Sequence, residues 1–154
     1  MEQKTNVIAE DGKQEILITR TFDLPLELLF KAYTEPELIE QWMGTKVLKF
    51  DFQKHGSFQF STSDPKGNKI GFNGTIHDFI TNQKIIRTFE MESMPFGVQL
   101  EIYEFEELSE NTSRLKQNVI YQSVNHRDEN LKLPFKQGIN WAHNRLEEIL
   151  TKSK

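Results

Sequence analysis

The sequence predicts an α+β domain in which a curved antiparallel sheet of seven strands packs against one long C-terminal helix. Segments with apolar residues at every second position follow one another between residues 47 and 122, separated only by short polar turns. Consecutive strands joined so closely form an antiparallel meander. One segment near the C-terminus repeats apolar residues at helical spacing over a long stretch, so we expect this helix to cover the sheet.

The first predicted elements are one strand and two short helices. Residues 14–22 are rich in β-branched residues, which is typical of a strand. Pro25 and Pro36 each lie in the first turn of a short segment with helical spacing of its apolar residues. Gly44 ends the second of these helices, because glycine readily adopts the left-handed conformation that follows a helix.

Six more strands and the long helix complete the prediction. The strands are "VLKFDFQ", "SFQFSTS", "KIGFNGTIHDFI", "KIIRTFEME", "VQLEIYEFEEL" and "SRLKQNVIYQ". Pro134 lies near the start of the helix, where proline is tolerated. The predicted order is β-α-α-β-β-β-β-β-β-α in one domain over residues 14–152, after a flexible N-terminal segment of residues 1–13. The apolar face of the long helix carries Phe135, Ile139, Ala142, Leu146, Ile149 and Leu150.

Composition and charge argue against several classes of function. The 154 residues have a net charge of −4 and show no cluster of lysine and arginine, so nucleic acid and acidic membranes are not expected partners. There is no cysteine, and the 4 histidines show none of the spacings of a zinc site, so we expect neither metal nor cofactor. The N-terminal residues lack the apolar core of a signal peptide, and no apolar run approaches a membrane span. We therefore expect a cytoplasmic protein.

A cavity is expected between the sheet and the long helix, because a curved sheet does not close perfectly around one helix. Trp42, at the end of the second short helix, is predicted to be buried at the opening of this cavity, since tryptophan is costly to leave in water. Large apolar side chains would line its walls and bind a ligand. The predicted wall residues are Phe50, Phe58, Phe60, Phe72, Phe89, Leu100, Val119, Phe135, Ile139 and Ala142.

Isolated polar groups among these apolar faces are candidates for orienting a ligand. Gln117 and Tyr121 share one face of their strand with apolar residues, and Arg87 alternates with apolar residues in another strand. The alternative is a structural role, such as a buried Arg–Glu pair. We also predict that Gly138 marks a close approach of the long helix to the sheet or to a ligand. Glycine within a helix is destabilising unless such packing offsets the loss.

Several motifs resemble a known family. The segment "ITRTFDLPLELLFKAYTEPELIEQWMG" resembles the opening of the family related to the activator of the heat-shock protein 90 ATPase. The segments "DFQKHGSF", "NGTIHDF", "KIIRTFE" and "KQGINWAHNRLEEIL" are similar to later family motifs, so the resemblance spans residues 14–151. The positions that match the opening motif are Arg20, Pro25, Pro36, Leu38 and Trp42, and the departures are Lys54, His55, Phe89 and the spacing of Trp141 from Gly138.

The resemblance implies the helix-grip fold of the START-like (SRPBCC) superfamily and leaves three functions open. The first is non-catalytic binding of a small hydrophobic molecule, planar aromatic or polyketide-like, in the predicted cavity. The second is a cyclase- or hydrolase-like enzyme in the same cavity, although no convincing catalytic pair is present and no catalytic residue is assigned. The third is a stress-related chaperone co-factor that activates the heat-shock protein 90 ATPase, which the resemblance alone implies.

Overall fold

The computed structural model describes residues 4–152 and confirms an α+β fold with a curved antiparallel sheet and a long C-terminal helix. The strands are β1 (Asn6–Ile8), β2 (Glu15–Phe22), β3 (Lys46–Phe50), β4 (Ser57–Ser63), β5 (Lys69–Ile80), β6 (Lys84–Met91), β7 (Val98–Ser109) and β8 (Thr112–Ile120). The helices are α1 (Leu26–Ala32), α2 (Pro36–Met43), α3 (Val124–Leu131) and α4 (Phe135–Thr151). None of the helices between residues 4 and 152 is long and apolar enough to cross a membrane.

All eight strands form one sheet in the order β1-β2-β8-β7-β6-β5-β4-β3. The strands from β3 to β8 form the predicted meander, since each pairs with the next in antiparallel register. The strand β2 joins this meander at its far end, with Glu15 opposite Ile120 and Phe22 opposite Ser113. The sheet therefore places the first long strand next to the last one.

The eighth strand, β1, is an addition to the seven that were predicted. It lies inside the segment predicted to be flexible, residues 1–13, of which residues 1–3 fall outside the described part. Val7 pairs with Ile18 at the sheet edge. Just before β1, the backbone N–H of Thr5 donates to Asn140 Oδ1 at 3.0 Å. The local sequence of this segment is too polar to predict a strand, and a contact with the distant helix α4 lies next to it.

The helix α3 is a second addition, and polar contacts define it. Ser123 caps its first turn, because the Ser123 hydroxyl accepts a hydrogen bond from the backbone N–H of His126 at 3.1 Å. The buried Arg127 donates from Nη1 to the carbonyl oxygens of Glu10 and Glu15, at 2.6 and 3.2 Å. The segment lacks an apolar stripe, which explains why periodicity did not reveal a helix here.

The long helix α4 follows Pro134 as predicted and buries Leu146 and Leu150. Gly138 lies on its exposed side, and a Cβ atom built there would meet no atom within 4 Å. The predicted close approach of the helix to the sheet at Gly138 is therefore wrong. Trp42 is buried as predicted, and its indole N–H donates to the carbonyl oxygen of Ala32 at 2.7 Å.

The interior divides into three apolar clusters along the sheet. The edge cluster lies near β1 and β2 and is centred on Ile16, Ile18, Val119 and Tyr121. The central cluster packs α1, α2 and α4 on the middle strands and includes Leu29, Tyr33, Trp42, Tyr103, Leu115 and Leu146. The aromatic cluster lies on β3 to β6, with Ile39, Phe58, Phe60 and Ile76 at its centre and Phe50, Phe52, Phe72, Phe79 and Phe89 around them.

Candidate functional site

A buried polar cluster lies on the inner face of the sheet between these apolar clusters. It consists of Arg87 on β6, Glu101 and Tyr103 on β7, and Gln117 on β8, and all four residues are buried. The strand register brings them together, because Arg87 is paired with Glu101 and Tyr103 is paired with Gln117. Side chains of neighbouring strands that share a face lie within contact distance.

The hydrogen bonds of this polar cluster converge on one carboxylate. Arg87 Nε donates to Glu101 Oε1 at 2.9 Å, and the Tyr103 hydroxyl donates to the same oxygen at 2.7 Å. The other oxygen, Oε2, accepts from Gln99 Nε2 at 2.9 Å and from Gln117 Nε2 at 3.4 Å. Glu101 therefore serves as a fully bonded acceptor, which makes it a poor candidate for a general base.

The Tyr103 hydroxyl is also saturated. Besides donating to Glu101, it accepts hydrogen bonds from Arg87 Nη2 at 2.7 Å and from Gln117 Nε2 at 3.1 Å. Burial raises the pKa of Tyr103 well above its usual value, against the opposing effect of Arg87. Burial alone would lower the pKa of Arg87, but Tyr103 and Glu101 raise it, so Arg87 remains a cation paired with an anion.

Tyr33 follows α1 and brings a second buried hydroxyl to this region. Its ring packs 5.1 Å from the ring of Trp42, 5.2 Å from that of Tyr103 and 5.8 Å from that of Phe105. The hydroxyl oxygen is buried and has no hydrogen-bond partner among residues 4–152. Burial raises the pKa of Tyr33, while Arg87 lowers it, so the hydroxyl lies within the electrostatic range of the polar cluster and stays neutral.

Aromatic rings surround the other side of Arg87. Its guanidinium carbon lies 5.0 Å from the ring centre of Phe58 and 5.3 Å from that of Phe89, distances at which cation–π attraction operates. The rings of Phe72 and Phe89 lie 5.5 Å apart. Phe58 is fully buried, whereas Phe72 and Phe89 are only half-buried. The aromatic cluster is thus incompletely covered next to the polar cluster.

The predicted ligand-binding residues fall into distinct regions of the structure. Phe50, Phe58, Phe60, Phe72 and Phe89 belong to the aromatic cluster, and Arg87 and Gln117 belong to the polar cluster. Trp42 and Ala142 pack in the central cluster. Val119, Tyr121, Phe135 and Ile139 pack in the edge cluster.

Leu100 and Gly138 lie outside this arrangement. Leu100 is on the outer face of the sheet and is 36% exposed, so its assignment to the cavity wall is wrong. The pleat of β7 points Glu101, Tyr103 and Phe105 inward instead. The apolar spacing of Val98 and Leu100 suggested the opposite phase.

Sequence reasoning did not assign Glu101 and Tyr33 to the site. Glu101 could have been predicted, because Arg87 points inward and the next strand carries an acidic residue that can pair with it. No local pattern distinguishes the unpartnered hydroxyl of Tyr33 from that of any other buried tyrosine. Tyr121, for comparison, has a partner, since its hydroxyl accepts from Asn130 Nδ2.

A second buried polar group lies between β2 and α4, on the opposite side of the central cluster. Arg20 Nη2 forms an ion pair with Glu147 at 2.7 Å, and Arg20 Nη1 donates to the Thr5 hydroxyl at 3.2 Å. The Thr5 hydroxyl lies 2.9 Å from His143 Nδ1. Burial, and after it the charge of Arg20, lowers the pKa of His143 to about 3. These contacts fasten α4 to the sheet.

Two surface depressions lie outside the polar cluster and the aromatic cluster. One, of about 270 Å³, lies on the outer side near β1, β2 and β8, and the other, of about 630 Å³, lies near the ends of β5 to β8. Neither is lined by a predicted ligand-binding residue. Among residues 4–152, no group of three histidine, aspartate or glutamate side chains could hold a metal ion.

Solved structures with the same fold come from several bacteria. A crystal structure of a protein from Rhodobacter sphaeroides is similar with a TM-score of 0.83 and 19% identity, over 97% of this chain and 100% of that chain. A solution structure from Arthrobacter aurescens has a TM-score of 0.87 and 15% identity, over 96% of this chain and 91% of that one. Another from Staphylococcus epidermidis has a TM-score of 0.78 and 23% identity, over 94% of each chain.

The sequence comparisons identify the family. No curated protein matches the chain significantly. The family model described as "Activator of Hsp90 ATPase homolog 1-like protein" matches residues 23–151, which include both helices after β2, the whole meander and α4. Membership suggests a ligand-binding fold, consistent with a curved sheet that encloses polar and aromatic groups. The chain therefore belongs to the Activator of Hsp90 ATPase homolog 1-like family, as its sequence motifs indicated.

Proposed function

We propose that the protein binds a small, largely apolar and planar molecule beside the polar cluster and the aromatic cluster, without changing it chemically. The observation that carries this proposal is the buried Tyr33 hydroxyl, which has no partner among the described residues. A buried polar group without a hydrogen bond costs about 1–3 kcal/mol, and such groups are rare. A ligand atom placed beside Tyr33 would remove that cost.

The aromatic cluster supports the apolar part of the proposal. The half-buried rings of Phe50, Phe72 and Phe89 offer flat surfaces, and the ring centre of Phe89 lies 5.3 Å from the guanidinium carbon of Arg87. Covering apolar surface contributes about 25 cal/mol per Å², while association entropy opposes binding. For a small planar ligand, these opposing contributions lead us to expect a dissociation constant in the micromolar range. This corresponds to a binding free energy on the order of −8 kcal/mol.

The contacts of the polar cluster support a non-catalytic role. Glu101 accepts four hydrogen bonds, and the Tyr103 hydroxyl takes part in three. Neither group is free to exchange a proton with a ligand, which a general acid or base must do. Activation of a chaperone ATPase is named in the description of the family, and no contact in the described part of the chain favours it over ligand binding.

The test is a titration of isotope-labelled protein with a flavone, a sterol and a fatty acid, followed by the amide resonances. We expect the flavone to shift amides near Tyr33, Arg87 and Gln117 with micromolar affinity. Phe89→Ala should weaken binding about tenfold, because it removes one wall of the site. The control Leu48→Ala removes an apolar side chain that is 57% exposed on the adjacent edge of the sheet, and it should leave binding unchanged. If no compound shifts these amides, the protein does not bind ligands of this class.

A further inference from the structure

We infer that the ligand is uncharged and that one of its oxygen atoms accepts a hydrogen bond from Tyr33. This inference rests on the proposed function and specifies its chemical class. It depends on the charge balance of the polar cluster and on the hydrogen-bonding groups that remain unused.

The charge balance disfavours an anionic ligand. Arg87 invites the assumption that a carboxylate binds beside it, since arginine commonly pairs with carboxylates. Here Glu101 already fills that role, with an N···O distance of 2.9 Å and side-chain exposures of 9% for Arg87 and 5% for Glu101. The pair is neutral as a whole. A ligand carboxylate would add a net negative charge to a buried region and would face Glu101, which a low-dielectric interior strongly disfavours.

The surroundings of the guanidinium reinforce this conclusion. Its charge is also stabilised by the faces of Phe58, Phe89 and Tyr103, with ring centres 5.0 to 5.3 Å from the guanidinium carbon. The same rings would lie beside a bound ligand and are not hydrogen-bond donors. They therefore favour the apolar body of a neutral molecule over the hydration that an anion requires.

Tyr33 offers a buried donor that has no hydrogen-bond partner among residues 4–152. The Tyr103 hydroxyl already makes three hydrogen bonds, and Gln117 Nε2 is used for two of the polar cluster's contacts. The Tyr33 hydroxyl is unused, and its raised pKa keeps its proton in place for donation. A ketone, ether or hydroxyl oxygen can accept that proton in a hydrogen bond, whereas a hydrocarbon cannot.

Three naphthalene compounds of similar size separate these possibilities. The first is 2-acetylnaphthalene, which has a neutral acceptor; 2-ethylnaphthalene has none, and 2-naphthoate is an anion at pH 7.5. Binding is followed by the fluorescence of Trp42 in a Trp141→Phe background. Trp141 is 60% exposed on α4, so its replacement leaves Trp42 as the only tryptophan without touching the site.

We expect 2-acetylnaphthalene to bind about fivefold more tightly than 2-ethylnaphthalene, the ratio expected for one net hydrogen bond. It should also bind at least about tenfold more tightly than 2-naphthoate, because of the charge. Tyr33→Phe should abolish the preference for 2-acetylnaphthalene over 2-ethylnaphthalene. It should leave the affinity for 2-ethylnaphthalene unchanged, which makes the hydrocarbon an internal control for folding. Glu101→Gln should reduce or reverse the preference for 2-acetylnaphthalene over 2-naphthoate, since Arg87 then lacks the carboxylate that balances its charge.

The outcomes separate the two proposals. If none of the three compounds binds, and the flavone titration also fails, the proposed function is wrong. If 2-naphthoate binds most tightly to the protein with its native Glu101, ligand binding stands and the inference of a neutral ligand is overturned. If Tyr33→Phe weakens 2-acetylnaphthalene and 2-ethylnaphthalene equally, the hydrogen bond from Tyr33 is wrong.

Discussion

The two halves of the sheet are covered in different ways. On the side of β2 and β8, the helix α4 closes the interior so completely that Ile16, Leu115 and Leu146 are each 0% exposed. On the side of β3 to β6, residues of α2 and the ring of Phe30 from α1 pack on the aromatic cluster, and several of its rings are half-buried. The first half holds the fold together through fully buried apolar side chains and the ion pair of Arg20 with Glu147, whereas the second half leaves aromatic surface partly uncovered. The polar cluster lies at the boundary between the two halves of the sheet, where a ligand could contact both halves.

The largest effect is expected at that boundary. Glu101→Gln leaves the buried Arg87 without a counter-charge, and we expect it to lower the free energy of unfolding by about 3–5 kcal/mol. Urea denaturation monitored by circular dichroism measures this change. The double variant Arg87→Met/Glu101→Leu removes both charges, so it should be closer to the wild type than the single variant. A double variant less stable than Glu101→Gln would contradict this description of the boundary.

The next effect compares the two halves directly. Leu146→Ala empties a fully buried position under α4 and should lower the free energy of unfolding by about 3 kcal/mol. Phe72→Ala removes a larger side chain from the aromatic half, yet we expect roughly half that cost, because the ring is only half-buried. Equal costs in parallel urea titrations would mean that both halves are packed alike.

The covered half should also respond to acid. His143 is buried and neutral, with its pKa lowered to about 3, whereas its unfolded value is close to 6.5. Below pH 6.5 the unfolded chain therefore binds a proton that the folded protein does not. The stability contribution of neutral His143 is complete above that pH and is lost progressively down to about pH 3.

At pH 5 the loss amounts to about 2 kcal/mol. Carboxylates add their own pH dependence, so the measurement compares the wild type with His143→Gln at pH 7.5 and pH 5. We expect the variant to lose less stability than the wild type between these two values. An identical loss in both proteins would show that His143 is not the group that titrates.

The smallest effect concerns the exposed side of α4. Gly138 has room for a methyl group, and alanine is the better helix former, so Gly138→Ala should raise the free energy of unfolding by up to about 1 kcal/mol. Thermal unfolding resolves a change of this size. If Gly138→Ala instead lowered the free energy of unfolding, α4 would approach the sheet closely at Gly138 after all.

The sequence predicted the elements whose stability comes from apolar periodicity. The meander strands and α4 alternate or repeat apolar residues in the pattern that their packing requires. By contrast, β1 and α3 were missed, because polar contacts with distant residues hold them, such as those of Thr5 with Asn140 and of Arg127 with Glu10 and Glu15. A local pattern carries no information about a partner more than 100 residues away.

The residues of the candidate site were predictable only on strands with one clearly apolar face. Arg87 and Gln117 were assigned to inward faces because the other positions on those faces are apolar. The strand β7 carries apolar residues on both faces, so the phase remained open, and the wrong choice placed Leu100 inside. Pairing with Arg87 and Gln117 on the neighbouring strands decides the phase in favour of Glu101 and Tyr103. That information is long-range.

The pairing of β2 with β8 also determines when the protein can fold during its synthesis. Residue 15 leaves the ribosome well before residue 120, its partner across the sheet. At typical elongation rates of 5–20 residues per second, β2 waits roughly 5 to 20 s for that partner. The helix α4, which covers the same half, emerges later still. We therefore expect the nascent chain to stay protease-sensitive until α4 has emerged, and the interior to form in a single late step.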